Sequence, residues 1–113
     1  MNFNEYQRLA ARTDVLVDYD EIETIHGALL NAAMGMVGES GEVMDHLKKI
    51  FFQGHEIDKD KFIEEAGDCL WYIAKLARVC GVRLEDVAIK NIEKLKKRYP
   101  NGFEVDRSVN RED

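Results

Sequence analysis

The chain is poor in the residues that break or staple a fold. It has one proline, Pro100, near its end, so nothing upstream forces a helix to stop. It has two cysteines, Cys69 and Cys80, eleven residues apart. That spacing suits neither a zinc site nor a disulfide framework, and both are expected to be reduced core thiols of a cytoplasmic protein. The longest apolar run, Cys69 to Ala74, is six residues, far short of the roughly 20 that cross a membrane. No apolar h-region follows the opening Met-Asn-Phe-Asn-Glu, so no signal peptide is expected. A basic excess is also missing. With 22 acidic against 16 basic residues the net charge is -6, which repels a phosphate backbone and argues against broad nucleic-acid binding. Alternating β-branched runs bounded by turns are absent, so strands are not expected.

What the sequence does contain is helical. Its 113 residues suit one domain, and 45% hydrophobic residues are enough for a packed core. Spacing predicts four helices. The first runs from about Asn4 to Arg12, capped by Asn2 or Asn4. The second runs from about Asp20 to Phe52, with Asp20 as N-cap and Glu23 three residues on, in the manner of a capping box. Its apolar seam reads Leu29, Ala33, Met36, Val43, Leu47, Ile50, stepping by threes and fours. The third runs from about Lys59 to Val79 and stops at Gly81. The fourth runs from about Leu84 to Tyr99 and stops at Pro100-Asn101-Gly102. Residues 104–113 form a charged tail, expected to be loose.

Two features exceed a generic bundle. Gly35, Gly38 and Gly41 fall within seven residues of the second helix, and each interior glycine costs about 1 kcal/mol against alanine. Either the helix breaks there, or something approaches it closely. The third helix is apolar nearly all round. Phe62, Ala66, Leu70, Ile73 and Ala77 form one stripe, with Trp71, Tyr72, Leu76 and Val79 off it. A helix apolar on all sides is a buried one, and a chain this short can hardly surround it. The expectation is an all-α, four-helix bundle-like domain over residues 1–103, forming a homo-oligomer with this helix near the interface.

Carboxylates supply the chemistry. Glu39 and Glu42 form one pair and Glu65 and Asp68 another, each at i, i+3 spacing and so on one side of a helix. If the two helices pack antiparallel, four carboxylates converge and need neutralising. Oxygen-only ligation suits Mg2+, with Mn2+ as a substitute. At about 100° per residue Glu39 points towards the apolar seam. Asp68 lies roughly opposite the Ala66, Leu70, Ile73 stripe, on the side of Glu64 and Lys75, so a solvated acidic face competes for that pair. Glu23-x-x-His26 hints at a di-iron bundle, but no second such motif exists. His46, one turn beyond Glu42, could support a ligand. Trp71 and Tyr72 are expected in the core rather than stacked on a base. Asn31 and Gly35 precede Glu39 on the same helix and are candidates to line the site.

The stretches GMVGESGEVMDHLKK and FIEEAGDCLWYIAKLARVCGVRLEDVAIKNIEKLKKRYPNGF resemble the MazG-like all-alpha nucleoside triphosphate pyrophosphohydrolases. The likeness extends from about Leu29 to Phe103, on a Glu-x-x-Glu pair, a Glu-x-x-Asp pair, the Trp-Tyr after the aspartate and the Lys-Arg-Tyr-Pro ending. It implies that Glu39, Glu42, Glu65 and Asp68 are catalytic and hold Mg2+. It also implies that a nucleoside triphosphate is hydrolysed to monophosphate and pyrophosphate, for cleaning or controlling a nucleotide pool. Asn91, Lys94 and Arg98, which share a face of the fourth helix, become candidates for binding the substrate. Many relatives carry a further acid where this chain has Gly38, so no general base is named. The same gap leaves room for a non-catalytic metal- and nucleotide-binding module, or a structural helical oligomer.

Overall fold

A computed structural model describes residues 1–15 and 22–112. Among the described residues every regular element is helical. These are α1 (Phe3–Ala10), a 3-10 turn (Ala11–Thr13), α2 (Ile22–Phe52), α3 (Lys59–Val79), α4 (Leu84–Arg98) and a short α5 (Val105–Val109). The expected Asp20 cap of α2 and the Glu23 side chain lie outside the described residues. The tail expected to be loose contains α5, which is exposed throughout and tied to α4 where Arg107 Nε donates to the Arg98 carbonyl at 2.6 Å.

Caps set the helix ends. Asn2 Oδ1 accepts from Glu5 N at 2.9 Å, and Asp58 Oδ1 accepts from Lys61 N at 3.2 Å, each satisfying an N–H that has no partner within its helix. α3 stops because Gly81 takes φ +72°. This allows Val82 N to reach back to the Ala77 carbonyl at 3.0 Å in a left-handed C-terminal cap.

α2 and α3 form a long antiparallel hairpin. Its register is fixed along the whole length: Lys75 meets Asn31, Tyr72 meets Gly35, Cys69 meets Ser40, and Phe62 meets His46. The glycine-rich stretch does not break α2. Of its three glycines, Gly35 carries the close approach. A Cβ there would lie 2.1 Å from the Tyr72 ring, whereas Gly38 and Gly41 face open space.

α1 braces the other end of the hairpin. Trp71 Nε1 donates to the Ala10 carbonyl at 3.1 Å and to Thr13 Oγ1 at 2.9 Å. Asn4 Oδ1 accepts from Glu85 N at 3.1 Å and Gln7 Oε1 from Leu84 N at 3.0 Å, so α1 side chains serve the first amides of α4. Beneath them is an ion cluster that the apolar pattern did not announce. Lys75, fully buried, donates to Asp14 at 3.1 Å and to Asn31 at 2.7 Å, and Arg78 pairs with the same Asp14.

The apolar core is thin. Among the described residues it consists of Ala28, Ala32, Ala74, Ala77 and Leu84. The expected seam of α2 is mostly half-buried, with Ala33 exposed. A second stripe of α2, Leu30, Met34, Val37, Met44 and Phe51, stands in the open, with Val37 75% exposed. α3, expected to be the apolar helix lacking cover, packs against α1, α2 and α4. It exposes one large apolar side chain, Ile63. The uncovered apolar surface therefore lies mainly on α2 and α4. The face that α3 turns to α2 carries Cys69, Tyr72 and Lys75 beside Phe62 of the predicted stripe, and the stripe's Ala66 is exposed.

Candidate functional site

The antiparallel hairpin brings the two carboxylate pairs together. Glu39 from α2 and Glu65 and Asp68 from α3 each offer an oxygen within 4.8 Å of the others. Glu42, one turn after Glu39, joins them in lining a cavity of about 390 Å³ with Gly38, Lys61 and Glu64. Asp68 is exposed but stands among the other acids, and its neighbour Glu65 is only 5% exposed. Burial of Glu65 is offset by Lys61, one helical turn earlier, whose Nζ lies 3.2 Å from Glu65 Oε1. That pairing raises the Lys61 ammonium above its ordinary range, chiefly through the hydrogen bond to Glu65.

One lysine does not balance the five carboxylates of that wall. Partial burial, and then the negative charges of Asp68, Glu65 and Glu42, push the Glu39 carboxyl above its usual range. Desolvation first, and then Asp68, also raises the phenol of Tyr6, which α1 carries to the same edge. The donors are all oxygen, they converge from two helices, and they are short of positive charge. That donor set fits a hard divalent cation. It does not suit a soft or nitrogen-preferring metal, since no histidine or cysteine belongs to the cluster among the described residues.

A second cavity, of about 310 Å³, opens beside the first and shares Glu39 and Asp68 with it. Its remaining walls are Thr13, Trp71 and Tyr72. The two rings, expected in the core, are half-buried and meet edge to face at 4.8 Å and 78°.

Other candidates lie elsewhere. Asn91 and Lys94 are exposed on α4 and Arg98 is half-buried there. None is a wall of the acidic cavity. Arg98 instead borders a cavity of about 540 Å³ with Lys97 and the α5 region. Asn31, a candidate to line the site, belongs to the Lys75 ion cluster, and Gly35 receives the Tyr72 ring. His46 packs its edge on Phe62, ring centroids 4.5 Å apart. His26 and His55 are exposed. Lys48 pairs with Asp45 at 3.0 Å on the surface. Sequence reasoning missed Lys61, although its i, i+4 spacing from Glu65 was a usable signal. It also missed Thr13, for which the sequence carried none.

Comparison with known proteins agrees with this geometry. A family model described as the MazG nucleotide pyrophosphohydrolase domain matches residues 29–103. The chain is also 33% identical over 106 residues to the Gene 37 protein of Mycobacterium phage L5, covering 90% of this chain and 92% of that one. No solved structure matches.

Proposed function

We propose that this chain, which belongs to the MazG nucleotide pyrophosphohydrolase family, hydrolyses a nucleoside triphosphate to the monophosphate and pyrophosphate in a divalent-cation-dependent reaction. The observation that carries this is the convergence of Glu39, Glu65 and Asp68 within 4.8 Å at an open cavity also lined by Glu42. Those four residues would hold Mg2+, with Mn2+ as a substitute. When bound, the cation neutralises the triphosphate and lowers the pKa of a coordinated water. Water adds to the α-phosphorus, the bond to the bridging oxygen breaks, and pyrophosphate leaves. The chain contributes position and charge. α2 and α3 fix the carboxylates, and Lys61 pairs with Glu65 at 3.2 Å.

Asn91, Lys94 and Arg98 remain candidates for the substrate, reached from α4 or from another copy of the chain. A homodimer or homotetramer is supported by the stripe Leu30, Met34, Val37, Met44 and Phe51, which steps by fours, threes and sevens along one exposed face. Val37→Asp should lower the mass measured by sedimentation if that face is shared. The domain is taken as residues 1–103 with a charged tail beyond, and the cytosol as its location, where Cys69 and Cys80 stay free. Removal or control of nucleotides in a pool is the role this chemistry serves.

The test is pyrophosphate release with Mg2+ over a panel of normal and modified nucleoside triphosphates, with Glu42→Gln and Asp68→Asn alongside. Turnover in the wild type that both variants lose supports the reaction. Absence of turnover by any of them removes it. A second reading, binding without turnover, is favoured by Gly38. It lines the cavity, and the space a side chain would enter there is open, so an acid was not sterically barred. Wild type that binds nucleotide with Mg2+ but releases no pyrophosphate, and gains turnover in Gly38→Glu, would select that reading.

A further inference from the structure

We infer that the cavity between the 3-10 turn and α3 seats the nucleoside half of the substrate, with the Trp71 indole as its stacking wall. The N-terminal segment thereby becomes part of base selection. This rests on the hydrolase reading above and names where the rest of the substrate goes.

Glu39 and Asp68 belong to both cavities. A ligand whose phosphates are held at the acids is therefore already at the mouth of the second. That second space, about 310 Å³, falls at the small end of the range of about 300–1,000 Å³ typical of ligand pockets. Its walls beyond the acids are two aromatic rings and a threonine. A metal-binding end joined to a flat aromatic end matches a nucleotide, because every base offers a π-face to stack.

The wall is ordered before any ligand arrives. Both hydrogen bonds of Trp71 Nε1 go to the N-terminal segment, and Thr13 Oγ1 in turn donates to the Ala10 carbonyl at 3.1 Å. Lys75 Nζ sits 5.9 Å from the indole centroid. Tyr72 is held by Gly35 on one side and by Trp71 on the other. Rings fixed in this way lose little freedom on binding, which favours affinity. Ala10 and Thr13 precede the residues 29–103 matched by the family model. Thr13 therefore lies outside that match, while the rings of Trp71 and Tyr72 that it adjoins lie within it.

Trp71 is the single tryptophan of the chain, so its emission reports on this cavity alone. The experiment titrates Mg2+-loaded protein with a panel of nucleoside monophosphates and with pyrophosphate, following Trp71 fluorescence and calorimetric heat together. The expected result is saturable quenching by nucleoside monophosphates, graded by base, and none by pyrophosphate. Trp71→Leu should weaken the nucleoside monophosphates by about tenfold and leave pyrophosphate unchanged. Thr13→Val, which keeps the shape and removes one of the two acceptors of the indole N–H while the Ala10 carbonyl stays, should reduce the grading by base. The inference is overturned if nucleotides bind calorimetrically without altering Trp71 emission, or bind Trp71→Leu as tightly as wild type. Should Trp71→Leu not fold, the wild-type and Thr13→Val titrations decide alone. Failure of the hydrolase reading looks different: neither nucleotide nor pyrophosphate binds and no pyrophosphate is released, which removes both.

Discussion

Two charged clusters share the α2–α3 hairpin, and they differ in how their charge is settled. At one end Asp14 meets Lys75 and Arg78 under cover of α1, and Lys75 also donates to Asn31. At the other, Glu39, Glu42, Glu64, Glu65 and Asp68 face a cavity where, among the described residues, Lys61 is the one cation in the wall. The first pairs a buried carboxylate with cations and is closed, so its role is to hold the N-terminal segment on the hairpin. The second leaves charge unmatched and open to solvent, which is the condition for taking up a cation from outside. The same two helices make both, with Gly35 and Tyr72 between them.

Breaking the closed cluster should have the largest effect. Asp14→Ala leaves two cations in a buried place, and loss of one partner from such a group costs about 3–5 kcal/mol, to be read from urea unfolding. Breaking the open cluster should leave folding intact and remove activity. Asp68→Asn is expected to lower pyrophosphate release roughly a hundredfold, since several kcal/mol of transition-state stabilisation depend on such ligands. The contact between the clusters is tested by Gly35→Ala. The added methyl meets the Tyr72 ring, and overpacking of about 1–3 kcal/mol outweighs the roughly 1 kcal/mol gained in helix propensity. Gly67→Ala, with open space around it, should show the gain alone.

A smaller effect follows from the sign of the Glu39 shift. Its carboxyl is raised in the folded state, so the metal-free protein carries the full penalty above that raised value. The penalty is relieved as pH falls into the ordinary carboxylate range. Asp68→Asn should therefore raise the Tm of metal-free protein at neutral pH, with a gain that fades on acidification, and should shrink the Tm difference between Mg2+ and EDTA. Smallest of all, Lys48→Ala breaks an exposed pair with Asp45 and should change stability by no more than about 0.5 kcal/mol.

Helix limits, the C-terminal stop at Gly81 and the inward turn of Glu39 were legible because each depends on near neighbours in the chain. Asp68 was harder to place. Apolar periodicity assigns the packed face of a helix to its apolar stripe, and α3 breaks that rule twice. Glu65 is buried because Lys61 and the other acids surround it, and Lys75 because Asp14 and Asn31 do. A lysine between Ala74 and Leu76 was itself a hint of a buried partner. Thr13 could not have been found at all, since its place against Trp71 joins residues 58 positions apart and only the folded chain makes them neighbours.

The capping of α4 by Asn4 and Gln7 bears on where this protein can be cut. A fragment trimmed to the family-matched residues would begin α4 with the Leu84 and Glu85 amides unserved and would leave the Trp71 indole without either acceptor. The smallest foldable unit is therefore expected to begin well upstream of residue 29. The opening dozen residues are a splint whose removal would be felt at the far side of the molecule, at the start of its last long helix.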